Sequence, residues 1–255
     1  MKTIIIGGVA GGASAAARLR RLDEQGEIII LERGNFISFA NCGLPYYIGG
    51  AIKEESKLTL QTPASFKGRF NIDVRINSEA VKIDPAAKTV AIRNLTSGQT
   101  YTETYDKLIL SPGAEPIRPN LPGMTSPRVM TLRNIPDTFK VKSYLAANQP
   151  KSAVVVGGGY IGVEMAENLA EAGLAVTIVE LADHLIAPLD FDLAVDVHKY
   201  VRDKGIKLLL KNGLQSLEDD GQKLTLTLTR GTLTTDFLIM SVGVRPESSL
   251  AKSAG

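Results

Sequence analysis

The stretch SFANCGLPYY, residues 38–47, holds Cys42, the only cysteine in the 255-residue chain. Asn41 and Gly43 give it one polar and one bare neighbour. Pro45 suits the first turn of a helix, which accepts proline readily. A thiol at a helix start is favoured as the thiolate, the form that attacks disulfides and peroxides. With no second cysteine to close an internal disulfide, a redox cycle at Cys42 has to pass through a mixed disulfide with a small thiol, a persulfide or a sulfenic acid. Residue type alone leaves another role open, because an unpaired cysteine also serves as a small buried apolar filler.

Two glycine-rich turns carry a different chemistry. GGVAGGASAAARLRRL presents Gly7, Gly8, Gly11 and Gly12 with Val9 and Ala10 between them, and the next strand-like run ends in an acid, Glu32. VVVGGGYIGVEMAENLAEAG presents Gly157, Gly159 and Gly162 around Tyr160 and Ile161, and Glu180 holds the corresponding place after it. Both acids stand at the distance beyond the last glycine that a dinucleotide fingerprint calls for. The second turn is a full GxGxxG, whereas the first has valine in the middle position. Such a turn brings a pyrophosphate up to the free N–H groups of a helix N-terminus, and the acid accepts hydrogen bonds from the adenosine ribose. A lone fingerprint is weak, but two in the same strand–turn–helix–strand–acid context point to two dinucleotide sites. The competing reading is that the repeat reflects architecture alone, which does not by itself give function.

To position these groups the chain needs a buried strand before each turn, a helix after it and a second strand leading to the acid. Residues 3–6 and 153–156 are short, β-branched and uninterrupted, as expected of strands covered on both faces in a parallel sheet. Residues 27–31 and 175–179 supply the strands that lead to Glu32 and Glu180. YDKLILSPGAEPIRP and TDFLIMSVGVRPESS then align Asp106 with Asp236 and Gly113 with Gly243 at one and the same offset, so the halves read as one repeated module. KTVAIRNLTSGQTYTETYD and KLTLTLTRGTLTTD alternate as hairpins that turn at Ser-Gly and Arg-Gly. The expected fold is α/β, with two Rossmann-like βαβ parallel-sheet domains, each carrying a β-meander. Residues 1–112 form the first, 113–245 the second, and 246–255 begin a return to the first.

In the first helix, Ser14, Arg18 and Arg21 share one face at i, i+4 and i+7, while Leu19 and Leu22 can pack on the sheet. By pattern alone that basic face is equally a solvated surface. His184 and His198 receive no role, and His198 reads as a surface residue of a helix. With 44% hydrophobic and 22% charged residues and a net charge of +2, nothing selects nucleic acid or an anionic membrane. One cysteine excludes an intrachain disulfide framework and a CxxC metal site, and no metal is expected. The three isoleucines of MKTIIIGG fall short of the roughly 7–15 apolar residues of a signal peptide, and no run approaches the ~18 of a membrane span. A cytoplasmic, reducing environment is expected.

On these motifs the chain resembles the N-terminal portion of the flavin-dependent pyridine nucleotide-disulfide oxidoreductases, over essentially all 255 residues. GGVAGGASAAARLRR together with SFANCGLPYYIGG is similar to the coenzyme A-disulfide reductase branch, where valine holds the place of Val9. Other branches carry a CxxxxC dithiol; here Tyr47 stands where the second thiol would be. The resemblance implies a glutathione-reductase-like arrangement with FAD on Gly7, Val9, Ala10, Gly11 and Gly12. It implies Glu32 and Arg33 at the FAD adenosine, Ser111, Pro112 and Gly113 beside the flavin, and Arg133 as a further contact. It also implies a nicotinamide dinucleotide on Gly157, Gly159, Tyr160, Ile161, Gly162 and Gly243, with Tyr160 covering the flavin face. Glu180 favours the free 2′-hydroxyl of NADH over the 2′-phosphate of NADPH.

For the substrate, the resemblance implies coenzyme A contacts at Ser14, Arg18, Arg21, Ser38 and Asn41, with Cys42 as the catalytic thiol. Electrons would run from NADH through FAD to a disulfide between Cys42 and coenzyme A, or to a related persulfide or polysulfide. Relatives continue past the position of Gly255 with a flavin-binding segment and a dimerisation domain, so the expectation is an N-terminal fragment of a homodimeric enzyme. One alternative is an NADH oxidase or peroxidase working through a Cys42 sulfenic acid, against which stand Asn41, Pro45, Tyr46 and the Arg18/Arg21 pair. Another is a dinucleotide-binding redox module without turnover.

Overall fold

A computed structural model describes residues 1–255. The chain forms β1 (Lys2–Ile6), α1 (Ala10–Leu22), β2 (Glu27–Leu31), α2 (Leu44–Gly49), α3 (Pro63–Phe70) and β3 (Asp73–Arg75). The strands β4 (Ser78–Asp84), β5 (Thr89–Asn94), β6 (Thr100–Thr104), β7 (Lys107–Leu110), β8 (Ala114–Pro116) and β9 (Val129–Met130) follow. Next come α4 (Ile135–Asn148), β10 (Ser152–Val156), α5 (Tyr160–Glu171), β11 (Ala175–Val179), α6 (Phe191–Asp203) and β12 (Lys207–Leu209). The chain ends with β13 (Leu214–Asp219), β14 (Leu224–Leu228), β15 (Thr232–Thr235), β16 (Phe237–Met240), β17 (Val244–Pro246) and α7 (Ser249–Ser253). Residues 1–40, 56–114 and 246–255 make one compact unit, and residues 41–55 and 115–245 make another. Segment 41–55, expected in the first domain from sequence, thus clusters with the second unit.

In the first unit the parallel sheet runs β3-β2-β1-β7, with Ile4 in register with Ile29 and Leu108. Its apolar runs are continuous because both faces are covered. Ile5, Ile28 and Ile30 pack with Ala13 and Ala16 of α1. Ile4, Ile6, Ile29 and Leu31 pack with Ile83, Val90 and Ile92 of the antiparallel β4-β5-β6 meander. Each fully buried isoleucine contributes about 1.5–3 kcal/mol. Leu19 joins the helix-side core, but Leu22 is 66% exposed, which corrects the expectation that both leucines pack on the sheet. Steps of three residues lag the 3.6-residue turn, so Leu22 has rotated off the stripe that begins with Ala13, Ala16 and Leu19.

The second unit repeats the plan, with a parallel sheet β12-β11-β10-β16-β9. Val154, Val156, Val179, Leu238 and Met240 pack on Leu224, Leu226 and Leu228, which explains why the LTLTL strand alternates. Its hairpin turns through Gly231 at φ +87°, and that of the first unit through Gly98 at φ +75°.

Asp106 and Asp236 close the start of each sheet. Asp106 accepts the N–H of Lys2 at 2.6 Å. Asp236 accepts the N–H groups of Lys151 and Ser152 at 2.8 and 2.9 Å, with the Lys223 ammonium at 2.6 Å. Burial opposes ionisation of Asp236, but Lys223 and those backbone donors outweigh it and hold the carboxyl at about 2. A depressed carboxyl stabilises fully above its ordinary value near ~3.9 and loses that contribution as pH falls toward the folded value. Asp236→Asn is therefore expected to cost about 1–2 kcal/mol in urea unfolding at neutral pH and much less at about pH 2. Equal losses at both pH values would rule out the charge as the source.

Candidate functional site: two glycine turns and an exposed thiol

Each glycine turn begins where the strand must bend into left-handed backbone, at Gly7 with φ +98° and Gly157 with φ +105°. A Cβ on Gly7 would lie 2.0 Å from the Ser111 carbonyl oxygen, and one on Gly157 2.2 Å from that of Ser241. Gly12 and Gly162 let the helix press back on the turn, since a Cβ there would lie 1.8 and 2.0 Å from the carbonyl oxygens of Gly7 and Gly157. The middle position makes no such demand. Gly159 has φ −75° and a Cβ on it would meet nothing within 4 Å. Val9, at the matching place, has φ −95°. The valine that interrupts the first fingerprint therefore stands where the backbone does not need glycine.

The first helical bonds run from Ala13 N–H to the Val9 carbonyl at 3.2 Å and from Val163 N–H to that of Gly159 at 2.9 Å. The N–H groups of Ala10, Gly11 and Gly12, and of Tyr160, Ile161 and Gly162, precede these bonds and have no intrahelical acceptor. Neither helix has a side-chain cap. Glu32 and Glu180 stand immediately past β2 and β11. Glu32 accepts Gly8 N–H at 2.8 Å and Gly34 N–H at 2.7 Å. Glu180 accepts Gly158 N–H at 2.5 Å and Ala182 N–H at 2.7 Å. Each carboxylate thus clamps its turn and keeps remaining lone pairs for hydroxyl donors. This donor set fits the adenosine-diphosphate part of a dinucleotide: N–H groups and a positive helix end for phosphate, a carboxylate for ribose, and at Gly159 a cradle that a Cβ would fill.

The repeat extends to single hydrogen bonds. Ser111 N–H donates to the Ile6 carbonyl and Ser241 N–H to that of Val156, both at 2.7 Å. After Ser111 and Pro112 the chain turns at Gly113, φ +75°, and after Ser241 at Gly243, φ +108°. Arg33 lies 3.8 Å from Glu247, and Arg133 lies 3.8 Å from Glu115. Tyr160 opens α5 and is 59% exposed, with Ile161 40% exposed beside it.

Cys42 is exposed, so the apolar-filler role is excluded. It occupies one 3₁₀ turn, Asn41–Gly43, and α2 follows directly with Pro45 in its first turn. The short helix behind it is firmly seated. Leu44, Pro45 and Ile48 are buried, and Lys142 Nζ donates to the Tyr47 and Ile48 carbonyls at 2.7 and 3.2 Å. Gly49 approaches α5 so closely that a Cβ would lie 2.6 Å from Asn168 Oδ1.

Ser14, Arg18 and Arg21 form an exposed face of α1 in the first unit. Arg20 instead ties the helix end to the Phe70 and Asn71 carbonyls at 2.7 and 3.0 Å. Ser38 is in the same unit, and its N–H donates to the Gly8 carbonyl at 3.0 Å. Asn41 is exposed next to Cys42 in the second unit. No three His, Cys, Asp or Glu side chains converge in a metal-holding group, and no helix is long and apolar enough to cross a membrane.

Residues 1–255 match the family model of pyridine nucleotide-disulphide oxidoreductases. The chain belongs to that family. A coenzyme A disulfide reductase of Staphylococcus epidermidis is 36% identical over 253 residues, which are 99% of this chain and 56% of the relative. The chain therefore spans about half the length of the curated relatives it matches. Among solved structures, reduced Bacillus anthracis CoADR-RHD is 52% identical with a TM-score of 0.97, covering 100% of this chain and 46% of that one. An NAD-dependent persulfide reductase from A. fulgidus is 33% identical with a TM-score of 0.95, covering 100% and 48%.

In this pyridine nucleotide-disulphide oxidoreductase, His198 is, besides Leu22, a residue that sequence reasoning misplaced. It is 4% exposed rather than a surface residue, and its Nε2 accepts the Leu185 N–H at 3.0 Å. The signal was present in α6: Ala194, His198 and Val201 recur at i, i+4 and i+7, and all three are buried.

Proposed function

We propose that the chain is the FAD- and NADH-binding part of a flavoprotein that reduces coenzyme A disulfide, or a related persulfide or polysulfide, through Cys42. The observation that carries this reading is a lone, exposed cysteine beside a firmly seated helix, in a family member with two dinucleotide-type turns. Gly7, Val9, Ala10, Gly11 and Gly12 would hold the FAD pyrophosphate, Glu32 its adenosine ribose, and Ser111, Pro112 and Gly113, with Arg33 and Arg133, its surroundings. Gly157, Gly159, Tyr160, Ile161, Gly162 and Gly243 would receive NADH. There the Glu180 carboxylate accepts from the free 2′-hydroxyl and repels a 2′-phosphate. FAD supplies the two-electron relay between nicotinamide and disulfide.

The remaining work falls to side chains. Arg18 and Arg21 are guanidinium partners for coenzyme A phosphates, with Ser14, Ser38 and Asn41 as hydrogen-bonding groups. The Cys42 thiolate attacks one sulfur of coenzyme A disulfide; the old S–S bond breaks, a Cys42–coenzyme A disulfide forms, and one coenzyme A leaves as its thiolate. Intact-mass spectrometry after exposure to coenzyme A disulfide is expected to show a single coenzyme A adduct on Cys42. A thiol that stays bare overturns the reading. A sulfenic acid formed with peroxide, and no coenzyme A adduct, would favour the oxidase or peroxidase alternative instead.

A further inference from the structure

Gly158, inside the second glycine turn, is held on three sides. Its N–H donates to Glu180 at 2.5 Å, and its carbonyl accepts the Ile186 N–H at 2.8 Å. Leu185 covers it so closely that a Cβ on Gly158 would lie 2.3 Å from Leu185 Cδ2. Ile186 makes its bond from left-handed backbone, φ +53°. A β-branched residue takes that conformation only where its surroundings impose it. The first turn has the same device with a less demanding residue: Ser38, at φ +44°, donates to the Gly8 carbonyl, and Ile37 covers Gly8.

The second copy adds an anchor. The residue before the strained Ile186, Leu185, donates its N–H to His198 Nε2 at 3.0 Å. That nitrogen accepts only while unprotonated. Burial pushes the His198 imidazole below its ordinary value, and the charges that bear on it act the same way: Arg202 one turn along α6, and His184 in the anchored segment. His184 is itself paired with Asp183 at 2.7 Å. The Phe191 ring stands edge-on to both imidazoles, at 6.0 and 6.5 Å between centroids.

We propose that His198 is a positioning residue for the pyridine nucleotide: as a neutral acceptor it pins the Leu185–Ile186 backbone over Gly158, and the turn that meets the pyrophosphate loosens when His198 takes a proton. This rests on the reading of the second unit as a dinucleotide site. Linkage then requires that nucleotide and proton oppose each other.

The test is calorimetric titration of the 255-residue chain with ADP-ribose, which carries the diphosphate and adenosine ribose and survives acid. His198→Met is expected to weaken binding roughly fivefold to tenfold at about pH 8, the loss of one buried hydrogen bond. His198→Gln, whose Oε1 can accept where Nε2 did, is expected to stay within about twofold of wild type. Because His198 takes its proton only below the ordinary imidazole range, wild-type affinity should fall further than that of His198→Gln as the pH is taken from about 8 to about 4.5. In the ligand-free proteins, hydrogen exchange at the Leu185 amide should be slow in wild type and His198→Gln and fast in His198→Met. Unchanged affinity or Leu185 protection in His198→Met, or identical pH profiles in wild type and His198→Gln, overturns the proposal. Wild-type protein that binds no ADP-ribose overturns the dinucleotide reading, and Leu185 exchange that still follows residue 198 supports the anchor.

Discussion

Alanine at Gly12 or Gly162 is expected to destabilise its own unit by roughly 3 kcal/mol or more, while alanine at Gly159 leaves stability unchanged. At the first two positions the new methyl would lie 1.8 or 2.0 Å from a backbone carbonyl oxygen, that of Gly7 or Gly157. No flexible side chain can move aside there; relief requires the helix to back away from the strand end, which opens the core behind Ala13 or Met165. At Gly159 the φ of −75° accepts any residue and a methyl meets no protein atom within 4 Å. The same methyl enters the space in front of the turn, where Val9 already carries a side chain in the first turn, so Gly159→Ala is expected to weaken NADH binding measurably but not to abolish it, with an unaltered melting temperature. Thermal unfolding and NADH titration of the variants separate the two effects. If Gly159→Ala lost stability and kept affinity, the turn would be a packing device rather than a nucleotide cradle.

Cys42→Ser should abolish covalent capture of coenzyme A and, under the proposed function, lower NADH-dependent disulfide reduction by several orders of magnitude. The loss is total for the adduct because no other cysteine exists in the chain to take over. Serine is nearly isosteric, but its oxygen is not appreciably ionised near neutral pH and cannot form a disulfide. Since Cys42 is exposed, folding stability should change by no more than about 0.5 kcal/mol. NADH affinity should be untouched, because the glycine turn and Glu180 are unaltered. Reduction of coenzyme A disulfide that survives in Cys42→Ser would move the chemistry away from this sulfur altogether.

Much of the nucleotide architecture was legible without coordinates, and the reason is local. Left-handed backbone at Gly7 and Gly157, helix-to-turn contact at Gly12 and Gly162, and an acid just past each second strand are demands made within one short strand–turn–helix–strand stretch. They leave their mark as residue types at fixed spacing. Even the departure at Val9 follows, since that position needs no special backbone. The common offset that relates Asp106 to Asp236 likewise survives as matched hydrogen bonds at Ser111 and Ser241.

Other features depend on partners distant along the chain. Helical periodicity tells which residues share a stripe but not where the neighbouring layer ends, so Leu22 looked buried and is exposed, whereas His198 lies on a buried stripe with Ala194 and Val201 that the spacing did carry. Segment 41–55 joins the second unit through contacts of α2 with α4 and α5 that no local pattern records. The left-handed backbone at Ser38 and Ile186 is invisible in residue types that ordinarily avoid it, because it goes with hydrogen bonds to partners far along the chain in the glycine turns, the carbonyls of Gly8 and Gly158. By itself, then, the amino-acid order determined the two strand–turn–helix units, their acids and a single sulfur, through short-range steric and hydrogen-bonding rules. Only the tertiary structure decided which side chains were driven out of water and which loops were locked under strain, because both depend on long-range packing that closes after the local elements have formed.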